Sequence, residues 1–184
     1  FAIMPELLER CLNEIVARHE ALRTTFRSVG GQAVQVIAPS LRLPLPIIDL
    51  RGLPAEQRDE EASRLATEEA RRPFDLALGP LIRTTLVQLG DDDHLFLLTM
   101  HHIVSDGWSM GVFVRELSAL SSAIEPEWDG VLSTTFAQLG ELRDDEVVAL
   151  AVRPLLQAAS APVLSWQPKG QADPVAAVRE LRFQ

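Results

Sequence analysis

The chain has 184 residues, of which 47% are hydrophobic and 23% are charged. This length and composition are typical of one soluble globular domain, or of one domain and a fragment. Its formal net charge of −9 argues against a nucleic acid as partner, and its one cysteine, Cys11, excludes an internal disulfide framework and a cysteine-based zinc cluster. No apolar run approaches the roughly 18 residues of a membrane span and no signal peptide is recognisable, so we expect a cytoplasmic protein without a membrane partner.

The first elements in chain order are a helix and a hairpin. Residues 5–19 place apolar side chains along one stripe at helical spacing, and Pro5 suits the first helical turn. Residues 22–29 and 32–37 are rich in β-branched residues, and Gly30-Gly31 lies between them. Because two such runs around a Gly-Gly pair are typical of a tight turn, the pattern predicts a β-hairpin.

The next stretch predicts extended chain followed by a helix. Residues 39–54 contain four prolines, which indicates an extended or edge-like segment rather than a central strand. Residues 55–72 are charged and alanine-rich with a thin apolar face, and they lie between Pro54 and Pro73. This pattern predicts a helix that begins and ends at those prolines, and its charges are most simply a solvated face.

Two strands and a further helix follow. Residues 81–89 and 95–100 predict strands around a Gly-Asp-Asp-Asp turn, and the second is apolar on both alternating faces. That pattern is typical of a central strand covered on both sides. Residues 109–120 predict a helix. The order of elements indicates an α/β domain, an α+β two-layer sandwich, through about residue 122.

The sequence pattern changes after residue 124. Prolines are scattered and no strand pattern is strong, while residues 144–159 and 174–183 are compatible with helices, the first kinked at Pro154. We therefore divide the chain into residues 1–124, one folded lobe, and residues 125–184, a divergent tail of mostly helix and loop.

The side chains best suited to catalysis follow the predicted central strand. His101 and His102 come at its end, where side chains emerge from a rigid element, and Asp106-Gly107 indicates a tight turn after them. Neighbours on a strand point to opposite faces, so one of the two imidazoles can face a given cleft. An imidazole can accept a proton from an amine or hydroxyl near neutral pH, and Asp106 is close enough to brace the turn or bond the ring.

Other interpretations of this cluster remain. Taken singly, each histidine is more often structural than catalytic, and both could be packed in the core. The spacing is unsuited to a metal, because the helical His-x-x-x-His pattern is absent, so we predict no metal site. The strained serine elbow Gly-x-Ser-x-Gly is also absent, so any acyl transfer should be direct, without an acyl-enzyme.

Three segments resemble the motifs of one protein family. Residues 100–109 (MHHIVSDGWS) contain His-His-x-x-x-Asp-Gly, which resembles the active-site motif of condensation domains of nonribosomal peptide synthetases. Residues 18–26 (RHEALRTTF) resemble an earlier motif of that family at the expected distance upstream. Residues 71–89 (RRPFDLALGPLIRTTLVQL) resemble the segment that leads into the active-site strand. The resemblance covers roughly residues 5–122.

The resemblance implies a fold and a set of partners. Condensation domains have a chloramphenicol-acetyltransferase-like fold of two similar α/β lobes with a tunnel between them. Two carrier proteins deliver thioester substrates on phosphopantetheine arms, and the acceptor amine attacks the donor thioester to form an amide. We therefore expect peptidyl or acyl carrier proteins and neighbouring synthetase domains as partners, the phosphopantetheine arm as substrate tether, and no bound cofactor.

The resemblance also implies roles for individual residues. His102 would orient or deprotonate the acceptor amine, and His101 would support the site from behind the strand. Asp106 would be mainly structural, through an ion pair with an arginine of the other lobe, and Gly107 would let the substrate pass close to the backbone. The upstream motif would hold the first helix to the sheet through Arg18, His19, Arg23 and Phe26.

The sequence departs from the family after residue 124. The motifs of the second lobe are not found there, and the opening motif does not precede Phe1, which indicates a fragment. A second lobe needs more than about 100 residues, and the 60 residues of 125–184 are too few. We expect a single lobe whose partner lobe is missing or degenerate, with a tail that is a diverged or frameshifted remnant or a cap.

Three functions remain open from the sequence, which does not decide whether the chain is an enzyme. The first is a fragment of an amide-forming condensation domain, poorly active alone because positioning needs both substrates held together. The second is an O-acyltransferase of the same superfamily, which would form an ester with the same histidine. The third is a non-catalytic remnant that binds carrier proteins.

Overall fold

Helices and strands alternate along the residues that the computed structural model describes, which are 4–124, 147–152 and 163–165. In chain order the elements are α1 (Pro5–Arg18), a short 3₁₀ helix (Glu20–Arg23), β1 (Thr24–Val29), β2 (Gln32–Ile37), β3 (Ile47–Asp49), α2 (Ala55–Arg71), β4 (Ile82–Gln88), β5 (His94–His101), α3 (Gly107–Ile124), β6 (Val147–Val152) and β7 (Val163–Ser165). The predicted order of elements up to residue 122 is confirmed.

Five of the described strands form one sheet in the order β3-β4-β5-β6-β7. β3 is parallel to β4, and the other neighbours are antiparallel. β5 is central, and its first seven residues are buried, as the doubly apolar pattern predicts. β3 is the edge strand predicted from the proline-rich stretch.

The core lies on both faces of this sheet. On one face, α1 and α3 contribute Leu12 and Leu117 to a cluster that includes Leu98 and Met100 of β5. On the other face, α2 packs its short apolar stripe near Leu97. Alternate residues of β5 thus enter the two clusters, because successive side chains of a strand point to opposite faces. The α/β class is confirmed, and α2 adds a second helical layer to the predicted sandwich.

The hairpin β1–β2 is a separate two-stranded ribbon. Its turn residues Gly30 and Gly31 have φ values of 59° and 82°. Two consecutive left-handed residues match the twist of the flanking strands and favour glycine at both positions. The hairpin turn predicted from the Gly-Gly pair is therefore confirmed.

The prediction of a helix over residues 144–159 is wrong where the structure describes it. Val147–Val152 is strand β6, paired antiparallel with β5. The run VVALAV is short, apolar and rich in β-branched residues, so periodicity cannot distinguish helix from strand, and pairing with β5 decides it. The predicted kink at Pro154 and the helix at 174–183 lie outside the described residues. The division of the chain at residue 124 remains a prediction.

Candidate functional site

A short loop joins the central strand to a helix at one end of the sheet. β5 ends at His101 and α3 begins at Gly107, two residues before the predicted start. Two backbone bonds fold this loop, from Val104 N–H to the carbonyl of His101 (3.0 Å) and from Ser105 N–H to the carbonyl of His102 (3.4 Å). The loop side chains are therefore held between a buried strand and the first turn of a helix.

The ring of His102 is bonded to its own loop. Its Nδ1 lies 3.1 Å from the carbonyl oxygen of Ser105. A carbonyl oxygen only accepts hydrogen bonds, so Nδ1 carries the proton and Nε2 of the neutral ring presents a lone pair. His102 is half-buried, so it is not enclosed in the core. This geometry gives the ring one fixed edge and one edge free to accept a proton.

His101 has contacts of a different kind. Its N–H bonds to the carbonyl of Leu81 (3.0 Å), and its Nδ1 accepts the N–H of Ile103 (3.0 Å). The rings of His101 and Phe74 pack edge to face, with centroids 6.0 Å apart. The guanidinium carbon of Arg83 lies 3.7 Å from the centroid of the Phe74 ring. These contacts fix His101 against the end of the strand, and they suit the supporting role that the resemblance implies.

Asp106 caps the helix that follows the loop. Its Oδ1 accepts bonds from the N–H (2.7 Å) and the hydroxyl (2.5 Å) of Ser109, and these bonds lower the pKa of the carboxyl group. A carboxylate in this position satisfies unpaired N–H groups of the first turn and interacts favourably with the helix dipole. Asp106 thus braces the turn, while the imidazole of His102 bonds to Ser105. Gly107 follows as the first residue of α3.

His19 links two helices at the start of the upstream motif. Its Nε2 lies 2.9 Å from Oε1 of Glu116, so the C-terminal end of α1 is joined to the middle of α3. The neighbouring Arg18 pairs with Glu14 of its own helix at 2.9 Å, and both side chains are about half exposed. The contact of His19 spans elements, whereas that of Arg18 is local to α1 and does not itself tie the helix to the sheet.

Arg23 and Phe26 lie at the base of the hairpin. Arg23 donates to the carbonyl of Ala38, and its side chain is 12% exposed. Phe26 is half-buried, and its N–H bonds to the carbonyl of Leu76 at 2.7 Å. These contacts attach the hairpin to the segments that follow β2 and α2. The structural role of both residues remains a prediction.

A cavity of about 320 Å³ lies beside the loop. Its apolar wall includes Leu22, Met100, Val104, Trp108, Val112 and Phe113, and His19, Ser105 and Ser109 also line it. Trp108 is 77% exposed and Ile103 is 45% exposed, so this end of the sheet also presents apolar surface. Trp108 and Ser105 lie within the motif of residues 100–109, so the sequence could have indicated them as residues of the site. Nothing in the local sequence indicates Glu116 as the partner of His19.

Two further findings concern metals and membranes. Among residues 4–124 and the short strands beyond them, no three histidine, cysteine or carboxylate side chains lie together as metal ligands would. Within the same ranges, no helix combines the length and the apolar character that crossing a bilayer requires.

Comparison with known proteins gives a consistent result. The sequence profile of the family described as Condensation domain matches residues 2–127. A linear gramicidin synthase of Brevibacillus parabrevis has a subunit that is 52% identical over 119 residues, which are 65% of this chain and 2% of that protein. SgcC5 from Streptomyces globisporus matches with a TM-score of 0.60 at 30% identity, covering 68% of this chain and 28% of that one. The first condensation domain of the calcium-dependent antibiotic synthetase matches with a TM-score of 0.60 at 30% identity, covering 68% and 30%.

The relatives are far longer than the region that they share with this chain, which spans between 2% and 30% of the length of the three proteins above. The match nevertheless includes the hairpin, the central strand and the His-His-x-x-x-Asp-Gly loop, since all of them lie between residues 2 and 127. This chain belongs to the condensation domain family of nonribosomal peptide synthetases and contains part of its chloramphenicol-acetyltransferase-like fold.

Proposed function

We propose that residues 1–124 form the first lobe of an amide-forming condensation domain, in which His102 orients or deprotonates the acceptor amine. The observation that carries this proposal is the bond between Nδ1 of His102 and the carbonyl of Ser105. It leaves Nε2 as the ring nitrogen that can accept a proton, and the half-buried ring is not enclosed in the core.

The proposed reaction is a direct acyl transfer. The acceptor nitrogen forms a bond to the thioester carbonyl carbon, and the carbon–sulfur bond breaks. The amine proton passes to Nε2 of His102 and then to the departing thiolate, so the imidazole is regenerated. His101 and Asp106 do not take part in proton transfer, because their bonds hold the strand end and the helix start. The ring of His102 supplies orientation and basicity, which general acid–base catalysis needs from a positioned imidazole.

The proposed substrates arrive as thioesters on the phosphopantetheine arms of acyl or peptidyl carrier proteins, and no bound cofactor takes part. Support comes from the relatives, which include a peptide synthase subunit. Holding two tethered substrates in one geometry is the main contribution expected from such a site, so the second lobe and neighbouring synthetase domains belong to the functional assembly. We therefore expect this chain alone to form amide slowly.

The test measures product formation from a carrier-bound acyl thioester and a carrier-bound aminoacyl acceptor. It uses this chain alone, and this chain fused to the second lobe of a condensation domain from linear gramicidin synthase. We expect the fusion to be much faster, and His102→Ala to lower its rate by about 10²–10⁴-fold, the usual contribution of general acid–base catalysis. Equal rates for the two forms would contradict the role of the second lobe, and an unchanged rate in His102→Ala would contradict the role of the imidazole.

The same experiment separates the other two functions. A product that is cleaved by alkali when a hydroxyl acceptor is offered, with no amide from the amine, would identify an O-acyltransferase. Carrier-protein binding that persists without any transfer, and that His102→Ala leaves unchanged, would identify a non-catalytic binding lobe. The unfolding midpoint of each variant shows whether a lost rate reflects lost folding.

A further inference from the structure

Arg83 is a nearly buried arginine that the proposed reaction does not use. It belongs to β4, and its side chain is 13% exposed. Its Nε donates to the carboxylate of Glu69, and its two terminal nitrogens donate to the carbonyls of Glu69 (3.1 Å), Arg72 (2.8 Å) and Pro73 (3.3 Å). The last carbonyls of a helix lack partners within the helix, so Arg83 caps the C-terminal end of α2 and ties it to the sheet.

The same guanidinium covers an aromatic ring that touches the histidine pair. Its carbon lies 3.7 Å from the centroid of the Phe74 ring, a distance at which a positive charge and a ring face attract each other. The Phe74 ring packs edge to face against His101, with the two ring planes at 83°. Because four hydrogen bonds hold the guanidinium in place, it restrains the ring of Phe74, and that ring restrains the ring of His101.

The ring of His101 holds the first peptide unit of the loop. Its Nδ1 accepts the N–H of Ile103 at 3.0 Å, so Nδ1 carries no proton and the proton of the neutral ring is on Nε2. This N–H belongs to the peptide bond that joins His102 to Ile103. The ring of His102 has the opposite tautomer, since its Nδ1 bonds to a carbonyl. The first imidazole therefore fixes the backbone from which the second projects.

We propose that Arg83 is a positioning residue for His102. Acting through the rings of Phe74 and His101, it fixes the peptide unit that follows His102, while the bond to the Ser105 carbonyl sets the rotation of the His102 ring. The inference rests on the proposed function, because it gives Arg83 a part in aiming the imidazole of that reaction. A planar guanidinium suits this position, since its face stacks on a ring while its edge donates hydrogen bonds.

Two variants interrupt this series of contacts at different points. Arg83→Met removes the guanidinium, whereas Phe74→Leu removes the aromatic ring and leaves the cap of α2 in place. Long-range ¹H–¹⁵N NMR spectra of the 184-residue chain, recorded at about pH 8 where an ordinary imidazole is neutral, show which nitrogen of each ring carries the proton. In the wild type we expect Nε2–H for His101 and Nδ1–H for His102. In both variants we expect averaged nitrogen signals for His101 and a shifted Nδ1 signal for His102.

Kinetics of the fusion described under the proposed function test the consequence for catalysis. Both side chains act on the aim of the imidazole, so Arg83→Met and Phe74→Leu should each lower kcat by about 10- to 100-fold and leave KM nearly unchanged. Phe74→Tyr keeps the aromatic ring and should restore most of the rate. Arg83→Lys should restore little, because an ammonium group neither stacks on a ring nor reaches several acceptors in one plane.

Arg58→Met is the matched control. Arg58 also donates to backbone carbonyls, those of Leu89 and Leu53, but it lies in the first turns of α2 and beside the far end of β4. This variant should lower the unfolding midpoint, as Arg83→Met should, and leave the imidazole signals and kcat as in the wild type. If Arg58→Met alters the imidazole signals as much as Arg83→Met does, the signals report general destabilisation and the proposal is overturned.

The outcomes separate this inference from the proposed function. Imidazole signals that Phe74→Leu leaves as in the wild type overturn the positioning role, even if amide formation depends on His102; this variant decides the question if Arg83→Met does not fold. Altered signals with an unchanged kcat also overturn that role where His102→Ala lowers the rate. Altered signals together with a rate that His102→Ala leaves unchanged support the contacts and overturn the proposed function.

Discussion

The burial of β5 makes Leu98→Ala a direct test of the fold. Leu98 is 1% exposed and belongs to the core cluster that contains Leu12 of α1 and Leu117 of α3. A leucine-to-alanine change at a fully buried site costs about 2–5 kcal/mol, because transfer free energy is lost and a cavity remains. Leu98 is packed between helices and strands that cannot easily move into the space left by its side chain. We therefore expect a loss in the upper part of that range, about 3–5 kcal/mol.

The magnitude is large relative to the total. A domain is usually stable by about 5–15 kcal/mol, so Leu98→Ala should remove a substantial fraction of the free energy of unfolding. The unfolding midpoint of a chain of this size should fall by about 10 °C. Urea unfolding followed by circular dichroism gives the free energy, and a thermal scan gives the midpoint.

The matched control is Leu78→Ala, a change of the same chemistry at a side chain that is 76% exposed. We expect this variant to stay within about 0.5 kcal/mol of the wild type. Equal losses for the two variants, or a loss below about 1 kcal/mol for Leu98→Ala, would show that β5 is not the buried centre of the sheet.

Further predictions concern pH, backbone strain and thiol reactivity. Burial lowers the pKa of His94 below its ordinary 6.5, so the unfolded chain binds more protons than the folded protein below that pH. The free energy of unfolding should therefore fall as the pH drops below about 6.5. His94→Gln should flatten this dependence in urea titrations at about pH 5–7. Gly79 has a φ of 60°, and a Cβ there would meet the side chain of Thr25 at 2.8 Å. Gly79→Ala should therefore destabilise the protein by about 1–2 kcal/mol or more, whereas Gly52→Ala, with open space around it, should not. Similar unfolding midpoints for the two variants would contradict the described backbone. Burial also raises the pKa of the Cys11 thiol, so its reaction with a disulfide reagent should be slow in the folded protein and fast in urea, and equal rates would show that α1 does not pack as described.

The elements that can be predicted from sequence are those with a long, unambiguous period. The stripe of α1 has such a period and is confirmed. The run of β5 is short and apolar on both faces, and it could be predicted as a strand because it follows another strand and a Gly-Asp-Asp-Asp turn; it is also confirmed. The run at Val147–Val152 has six residues, too few for periodicity to separate helix from strand, and pairing with β5 decides in favour of a strand. The start of α3 is also missed by the pattern, because it depends on the cap by Asp106 rather than on apolar spacing.

The site can be predicted in composition but not in geometry. The end of a buried strand indicates the pair His101-His102, and the family resemblance selects His102. The partner of its ring depends on how the loop turns back, which no residue pattern specifies. The contact between His19 and Glu116 joins residues 97 positions apart. The cavity wall combines residues next to the 3₁₀ helix with residues of the loop and of α3. Such long-range contacts follow from tertiary packing, and a single sequence contains no local signal for them.

The bond from the ring of His102 to the carbonyl three residues later makes the imidazole self-oriented. The direction of the ring is therefore set within one short peptide segment. Under the proposed function, joining this lobe to a different second lobe, by evolution or by engineering, should therefore leave the orientation of the His102 ring unchanged.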